Sequence, residues 1–580
     1  MWLPETAADL ESLEVLAEAG IRFTVLAPHQ ALRWRAIGEA KWIDVAPDGL
    51  DTTRAYRLSL PSGRPIDLFF YEGAIARDVA FGGLLHSGQQ FAARLLSGFP
   101  EDGQGPRLVH IATDGETYGH HHPHGDMALA YALRAIGASA EIRLSNYGEY
   151  LERHPPEAEV QIRENASWSC VHGLERWRSD CDCGTGAHTG WSHAWRGPLR
   201  EALDGLRDRA APLFEQKAAA LLSDPWGARD AYVEVVLDRS PESLARFFAG
   251  QACRPLSPEE RIAAVELLEL QRHAMLQYTS CGWFFDDLAG LETLQVLQYA
   301  GRVVQLSEKL FGDSFEERFL EALSVARSNR PGEGDGRRVY ECHVRPARVD
   351  LPKVGGHYAV RSLFEPYAPE ARVYCWEVDR EDFRSAEAGK MKLAIGRARF
   401  TSQVTGESKR LVFGALHLGD HNVHGGVRTL PAEAEYELLA GEVLHAFSRA
   451  DVPEVLRLID SGFGEHVLSL RELFRDEQRR ILRIILESTR EEAEGVLRRV
   501  HERNLPLLRY LADLGTPPPR VFRATAGFVL NSGLRHALEG ESLDAEAAGR
   551  LVEEAAREKI PLDAETLEYL LRRRLEALAR

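Results

Sequence analysis

The alternation of helical and extended patterns over residues 1–150 restricts the fold of this chain more than any other feature. A helical pattern that ends at Gly20 is followed at once by an apolar run at 21–27, and further extended runs occur at 64–73 and 107–116. Helices that alternate with apolar strands are typical of a mainly parallel sheet. We therefore predict an α/β fold for this part of the chain.

The rest of the chain divides into three regions. Residues 151–330 are mainly helical, and a capping-box pattern of Ser257 and Glu260 marks one helix start. A segment rich in Pro, Gly and charge then precedes a β-rich region at 339–430, which contains a β-hairpin pattern. Residues 431–580 are helical again. The sequence therefore predicts four domains.

Composition and charge exclude several kinds of partner. The net charge is −18 and no long run of Lys and Arg occurs, so we predict no nucleic-acid binding. No apolar run reaches about 18 residues and no signal segment is seen, so we predict no membrane span and a cytoplasmic location. The seven cysteines are an odd number and fit reduced thiols better than a disulfide framework.

The sharpest local motif is VHIATDGETYGHHHPHGD at residues 109–126. An apolar strand pattern runs directly into Asp114, Gly115 and Glu116, and acids at the C-terminal end of a strand lie where α/β folds build active sites. The alternative is that both acids only cap the helix that follows. Tyr118 and the crowded histidines of the motif favour a polar site that binds hydroxyl groups.

Two groups of residues could bind a metal ion. His121 and His122 lie near Asp126, and imidazole and carboxylate are common zinc ligands, but the motif lacks HExxH spacing. Cys181 and Cys183 are separated by one residue, whereas paired cysteines of structural zinc sites usually have two or more between them. We interpret the cysteine pair as part of a reduced, locally packed loop and predict no bound metal and no cofactor.

Four motifs resemble one known family. WLPE at 2–5 and TDGETYG at 113–119 resemble the nucleophile and acid/base motifs of glycoside hydrolase family 57. The stretches at 164–181 and 278–300 are similar to the bacterial branch of that family, which carries a long, uncharacterised C-terminal extension. The resemblance spans almost the whole chain and implies an incomplete, seven-stranded (β/α) barrel.

The resemblance also implies roles for individual residues. Glu5 matches the nucleophile and Asp114 matches the general acid/base. The last motif makes Trp283 and Asp286 candidate substrate contacts, although the family's Asn-Asp pair is not reproduced there. The other predicted substrate contacts are Trp2, Glu116, Tyr118 and His121.

The residue types suit this chemistry by themselves. A retaining glycosidase uses two carboxyl groups about 5 to 5.5 Å apart, one that attacks the anomeric carbon and one that donates and then withdraws a proton. Glu5 must be ionised while Asp114 is protonated, so we expect their surroundings, with Glu116 or His121, to separate the two pKa values. Four aromatic residues offer faces for sugar rings or pack in the core: Trp2, Tyr118, Trp168 and Trp283.

The segment before Glu5 is shorter than the family pattern requires. Family members carry a His-Gln-Pro-like motif and a second acidic motif before the nucleophile, whereas PHQA at 28–31 follows Glu5. We therefore expect a barrel remnant without its opening strands, from a truncated or mis-started chain rather than a shortened relative. Glu5 would then lie on a loosely held terminus, and turnover would be impaired.

The leading hypothesis is a retaining glycoside hydrolase or glucanotransferase that acts on α-glucan. Residues 1–150 would be the C-terminal part of the barrel and 151–330 the helical region that completes it. The first alternative is a non-catalytic glycan-binding or scaffold protein on the same degenerate fold. The second is a metal-dependent hydrolase that uses His121, His122 and Asp126. The sequence does not indicate the oligomeric state.

Overall fold

The structure is a computed structural model that describes residues 1–46, 49–100, 105–365, 367–429, 432–464, 466–539 and 544–578. The chain divides into two compact units, Met1–Arg348 and Val349–Arg580. The predicted domain boundary at residues 430 and 431 lies outside the described residues. The four-domain division stays a prediction.

The first unit contains a six-stranded mixed sheet. Its strands are β1 (Phe23–Leu26), β2 (Ala31–Ala36), β3 (Ile43–Asp44), β4 (Ala55–Ser59), β5 (Pro65–Phe70) and β6 (Ala158–Ile162). They lie in the order β1-β5-β4-β6-β2-β3. The pairs β1/β5 and β4/β6 are parallel, whereas the other neighbours are antiparallel. The predicted α/β class is confirmed, but the sheet is mixed rather than mainly parallel.

A tight turn explains why β4 and β5 are antiparallel. The N–H of Leu60 donates to the carbonyl O of Arg64, and the N–H of Gly63 donates to the carbonyl O of Leu60, each at 2.9 Å. Gly63 has a φ of 84°, a conformation that glycine adopts without steric cost. The Leu-Pro-Ser-Gly sequence therefore closes a hairpin, which a purely parallel arrangement does not allow.

Side chains on β5 alternate between two apolar layers. Ile66, Leu68 and Phe70 are buried in the layer that includes helix α1 (Leu10–Glu18), whereas Phe69 is buried in the layer on the other side. Successive residues of a strand point to opposite faces. Both faces of this strand are therefore covered, as expected in an α/β unit.

Four further helices accompany the sheet: α2 (Gly73–Ala80), α3 (Gly88–Leu96), α4 (Gly125–Gly137) and α5 (Tyr147–Arg153). The extended run predicted at 107–116 does not form a regular strand. The N–H of Leu108 donates to the carbonyl O of Thr53 (2.9 Å). The carbonyl O of His110 accepts the N–H of Glu72 (2.8 Å). The segment therefore lies beside the sheet, with isolated backbone hydrogen bonds instead of a ladder.

From Arg196 onward the first unit is mainly helical, as predicted. The helices of this region are α6 (Arg196–Ala218), α7 (Pro225–Ala231), α8 (Val233–Leu237), α9 (Pro241–Gln251), α10 (Pro258–Leu276), α11 (Cys281–Phe284), α12 (Leu291–Phe311), α13 (Glu316–Leu323) and α14 (Gly336–Val339). The capping box of Ser257 and Glu260 at the start of α10 is confirmed, with both reciprocal hydrogen bonds present. Fully buried leucines, such as Leu199, Leu267 and Leu297, form the core of this region.

The second unit contains a separate antiparallel sheet. Its strands are β7 (Glu370–Val373), β8 (Trp376–Ala388), β9 (Met391–Ser402), β10 (Ser408–Gly419), β11 (Asn422–Thr429) and β12 (His466–Leu468), in the order β12-β11-β10-β9-β8-β7. The predicted hairpin is confirmed as β9 and β10, which pair from Ser408 opposite Thr401 to His417 opposite Lys392.

Helices cover both faces of this second sheet. The helices that contact the sheet are α15 (Leu351–Ser362), α16 (Glu433–Ser448) and α17 (Val452–Phe463). The unit also contains α18 (Arg475–Asp513), α19 (Arg520–Glu539), α20 (Ala545–Glu558) and α21 (Ala564–Leu578), and the last three pack on α18 and on one another. Leu411 and Phe413 are buried in the layer that contains α15, and Val412 is buried in the layer that contains α16 and α17. Within the described residues, no helix combines the length and the apolar character that a bilayer crossing requires.

Candidate active site

Glu5 lies in a short 3₁₀ turn, Pro4–Thr6, and two donors fix its side chain. Trp168 donates its indole N–H and Ser169 its hydroxyl to Oε2 of Glu5, at 2.9 and 2.6 Å. The backbone N–H of Trp168 also donates to the carbonyl O of Glu5 at 3.0 Å. Glu5 has a φ of 55°, which a non-glycine residue adopts only where its surroundings hold it. The expected loosely held terminus is therefore not observed.

A buried glutamine supports this turn from behind. Gln30 is 1% exposed, and its Nε2 donates to the carbonyl O atoms of Thr6 (2.8 Å) and Ala166 (3.1 Å). Its Oε1 accepts the hydroxyl of Thr6 and the N–H of Ala27, both at 2.9 Å. A buried amide is stable only when its polar atoms are paired. Gln30 therefore ties together three segments that are far apart in the sequence.

Asp114 immediately precedes a second 3₁₀ turn, Gly115–Tyr118. Partial burial raises the pKa of Asp114 above its usual value, and the negative charges of Glu5 and Glu116 add to the rise, whereas His121 opposes it. Glu5 and Asp114, which are distant in the sequence, are therefore close enough to interact electrostatically. Asp114 remains exposed as a residue, so its carboxyl is open to a ligand.

The histidines that follow Asp114 have separate surroundings. Nε2 of His122 lies 2.9 Å from the carbonyl O of Ala80, and His124 precedes α4 with a φ of 65°. Across the described ranges, His121, His122 and Asp126 do not form a group whose ligand atoms converge on one point. Their arrangement gives no support to a metal-dependent hydrolase at this motif.

Aromatic side chains lie beside both acids. Trp2 is 41% exposed, and its ring meets that of Trp168 edge to face, with centroids 5.2 Å apart. Trp168 contacts Glu5 directly through its indole N–H. Tyr118 is half-buried, and its hydroxyl accepts a hydrogen bond from the Thr113 hydroxyl at 3.1 Å. Trp2 is thus the most exposed of the predicted aromatic residues near Glu5.

Comparison with known proteins agrees with the two acidic motifs. Residues 1–163 match the model of glycosyl hydrolase family 57. The N-terminal part of the chain, residues 1–163, is glycoside hydrolase family 57-like. Residues 191–474 match a second model, a domain of unknown function, DUF3536. The cysteine-containing segment at 170–183 lies between the two matched regions.

Two solved structures resemble parts of this chain. One is an exo-type maltose-forming amylase from Pyrococcus sp. ST04, with 14% identity and a TM-score of 0.41 over 60% of this chain and 68% of that chain. The other is a 4-alpha-glucanotransferase from Thermococcus litoralis, with 11% identity and a TM-score of 0.31 over 74% of this chain and 66% of that chain. At this level neither structure bears on the activity. None of the curated protein sequences matches the chain.

The two candidate contacts of the last family 57 motif lie in the helical core. Trp283 is 1% exposed, and its indole N–H donates to the carbonyl O of Arg196 at 3.3 Å. Asp286 is 6% exposed and accepts the N–H (2.9 Å) and hydroxyl (2.5 Å) of Thr185, and His193 Nε2 lies at 3.2 Å. Burial acts to raise the pKa of Asp286, but the hydrogen bonds from Thr185 and His193 outweigh it and hold the pKa below its usual value. Their role as substrate contacts stays a prediction.

Two residues that support Glu5 were not among the predicted site residues. Ser169 follows Trp168 in the motif at 164–181, so the resemblance of that motif could have identified it. Gln30 lies in the PHQA segment, which follows Glu5 and was therefore not assigned to the site. A third segment also lies near Glu5. Burial raises the pKa of the Cys281 thiol, and the negative charge of Glu5 adds to the rise. The start of α11 therefore lies near Glu5, whereas Trp283 in the same helix is buried in the helical core.

Proposed function

We propose that this chain is a retaining glycoside hydrolase or glucanotransferase that acts on α-glucan by double displacement. Glu5 is the nucleophile and Asp114 is the general acid/base. The observation that carries the proposal is the contrast between the two carboxyl groups. Glu5 accepts two hydrogen bonds from fixed donors, whereas the pKa of Asp114 is raised by burial and by the charge of Glu5 itself. A retaining pair needs one carboxyl group that is held in place for attack and one that keeps its proton until the first step.

The geometry of Glu5 suits attack by one particular oxygen. Both donors bind Oε2, and among the described residues no hydrogen bond engages Oε1. A carboxylate held through one oxygen keeps its other oxygen at a defined position, and such positioning lowers the entropic cost of attack. We therefore assign Oε1 as the atom that bonds to the anomeric carbon.

Asp114 supplies and then recovers the proton. In the first step the Glu5 carboxylate bonds to the anomeric carbon, the glycosidic bond breaks, and Asp114 protonates the departing oxygen. In the second step Asp114 withdraws a proton from water or from a sugar hydroxyl, which displaces Glu5. Water gives hydrolysis and a sugar acceptor gives transfer. The substrate is an oligo- or polysaccharide, and the exposed ring of Trp2 provides a face on which a sugar can stack.

The proposal includes the fold that holds these acids. We assign the mixed sheet of the first unit to an incomplete (β/α)7-type barrel, with the helical region at 151–330 as its completion. In the described part of the chain, β1 and β3 each have one strand neighbour, so the sheet has two open edges. An open edge fits a barrel remnant, and we expect slower turnover than in a closed barrel, because a closed barrel shields the site from water.

Two measurements on the purified chain test this function. Proton NMR of the products formed from maltooligosaccharides gives their initial anomeric configuration, and we expect the α form. For Asp114→Asn we expect a loss of about 10²–10⁴-fold with maltooligosaccharides, as for other general acids. We expect a far smaller loss in its first step with α-maltosyl fluoride, because fluoride departs without a proton.

Asp126→Asn is the matched control, since Asp126 is an exposed acid of the same motif and has no role in the proposal. Initial β products or full activity in Asp114→Asn would contradict the proposal. Loss of both activity and bound metal in Asp126→Asn would favour the metal-dependent hydrolase. Oligosaccharide binding by the wild type without any product would favour the non-catalytic glycan-binding protein.

A further inference from the structure

Four potential metal ligands converge in the segment that follows the Glu5 donors. Cys170, His172, Cys181 and Cys183 each offer one ligand atom, and all four atoms lie within 4.8 Å of one another. Sγ of Cys183 lies 3.5 Å from Nδ1 of His172. All three cysteines are free thiols, and Cys170 and Cys181 are buried at 3% and 7% exposure.

The number and kind of these ligands match a structural zinc site. Zinc in such sites is tetrahedral, and a set of three cysteines and one histidine is a standard combination. Zinc–sulfur bonds of about 2.3 Å place the ligand atoms roughly 3.8 Å apart, so the observed cluster needs only small side-chain rotations to close around an ion. Soft thiolate ligands favour zinc over magnesium or calcium.

A buried arginine beside the cluster requires negative charge. Arg196 is 0% exposed, and it donates to the carbonyl O atoms of Cys181 (3.4 Å) and Cys183 (3.0 Å) and approaches Sγ of Cys181 at 3.7 Å. In the residues that the structure describes, its guanidinium forms no ion pair with a carboxylate. The negative charge of Asp286 acts on this guanidinium only from beyond ion-pair distance, and a buried cation favours further negative charge close by. Zn²⁺ with three thiolates and one neutral imidazole carries one net negative charge, which would add to that of Asp286.

We propose that Cys170, His172, Cys181 and Cys183 bind one zinc ion at a structural site. Cys181 and Cys183 alone do not predict a zinc site, because only one residue separates them. The fold brings these two residues to a second pair, Cys170 and His172, which also has single-residue spacing. Donation from Arg196 to a ligand sulfur is the kind of outer interaction that orients metal ligands.

The location of this site gives it a role in positioning the active site. Cys170 directly follows Trp168 and Ser169, whose side chains hold Oε2 of Glu5. Arg176, within the same segment, donates to the carbonyl O of Ser169 at 3.2 Å. A zinc ion would therefore fix the segment that orients Glu5. This effect on catalysis rests on the proposed function, whereas zinc binding does not.

The experiment measures metal content and metal spectrum on the full chain, purified with a thiol reductant and dialysed against a weak chelator. We expect about one equivalent of zinc per chain by elemental mass spectrometry, as for other closed structural sites. We also expect cobalt exchanged into the wild type to show a thiolate-to-cobalt charge-transfer band and the visible bands of tetrahedral cobalt. The cobalt spectrum needs no variant and is therefore independent of any effect of substitution on folding.

Variants locate the site. We expect Cys170→Ser and Cys183→Ser to lose most of the zinc. We expect Cys253→Ser and Cys342→Ser to keep it, because Cys253 and Cys342 are exposed and lie outside the cluster. Wild type with less than about a tenth of an equivalent of zinc and no tetrahedral cobalt spectrum would overturn the proposal. So would full zinc in both cluster variants, or a disulfide among the three cysteines in the reduced chain. Zinc binding without glycosidase activity would refute only the proposed function.

Discussion

Two pairs of acids in the first unit have opposite surroundings. Asp286 and Asp287 are 6% and 2% exposed, and fixed donors surround them; for example, the N–H of Asn329 donates to Asp287 at 2.6 Å. Glu5 and Asp114 instead lie at a more open surface, where partial burial raises the pKa of Asp114 and the negative charge of Glu5 adds to the rise. A carboxylate whose oxygens are fully hydrogen-bonded stabilises a fold, whereas interacting carboxyl groups that oppose ionisation are typical of catalytic sites. The comparison therefore distinguishes two acids to which we assign a structural role from the two acids to which we assign the proposed chemistry.

The largest expected effect is that of Glu5→Gln on activity. Removal of a nucleophile lowers kcat by about 10⁴-fold or more in comparable enzymes. The substitution preserves shape, so we expect the melting temperature to change by no more than about 2 °C. Steady-state kinetics and calorimetry measure the two effects. Glu11→Gln, in an exposed position of α1, is the matched control and should leave both unchanged. If Glu5→Gln kept more than a tenth of the wild-type activity, the proposed difference in role between the Glu5/Asp114 pair and the Asp286/Asp287 pair would be wrong.

Asp286→Ala should show the reverse behaviour. It would leave the buried donors of Thr185 without an acceptor, so we expect the free energy of unfolding of the first unit to fall by about 3 kcal/mol. Activity per folded molecule should change little. Urea unfolding gives the first quantity, and Asp208→Ala, at an exposed acid, should change it by less than about 0.5 kcal/mol. A rise in KM at unchanged stability would instead support Asp286 as a substrate contact.

Ser169→Ala tests the link between Glu5 and its donors. The loss of one hydrogen bond to a charged group corresponds to about 1.5 kcal/mol, so we expect kcat/KM to fall roughly 10-fold. Ser179→Ala is the matched control, because that hydroxyl donates to Glu175 and not to Glu5. Equal kinetics for the two variants would show that the indole N–H of Trp168 alone is sufficient to orient Glu5.

The smallest expected effect is a shift in the pH profile. Asp114 must be protonated before the first step, so activity should fall as the pH rises through its pKa. Glu116 raises that pKa and His121 lowers it. We therefore expect Glu116→Gln to move the alkaline limb of kcat/KM to lower pH by roughly a few tenths of a unit, and His121→Gln to move it to higher pH. If the two substitutions moved the alkaline limb in the same direction, that result would contradict this electrostatic arrangement.

Local patterns in the sequence were sufficient to predict several elements. The capping box at Ser257, the β9/β10 hairpin and the helix after the Asp114 motif follow from interactions between near neighbours in the chain. The WLPE and TDGETYG motifs identified the two acids through a family resemblance. Such features need no knowledge of how distant segments meet.

Long-range contacts account for what the sequence did not reveal. Trp168 and Ser169 reach Glu5 across more than 160 residues, and no local pattern encodes that approach. Likewise, the spacing of Cys181 and Cys183 is uninformative until folding adds Cys170 and His172. The mixed sheet has the same cause, because the register of β4 depends on a distant strand, β6, as well as on its own hairpin.

The most direct test of the catalytic pair is covalent trapping of the nucleophile. The full chain is incubated with a slow, fluorinated α-maltosyl fluoride, quenched in acid, digested with trypsin and sequenced by mass spectrometry. We expect the glycosyl group on Glu5, within the peptide that ends at Arg22. A glycosyl group on another residue, or continued release of product with no adduct, would contradict the assignment of Glu5 as the nucleophile.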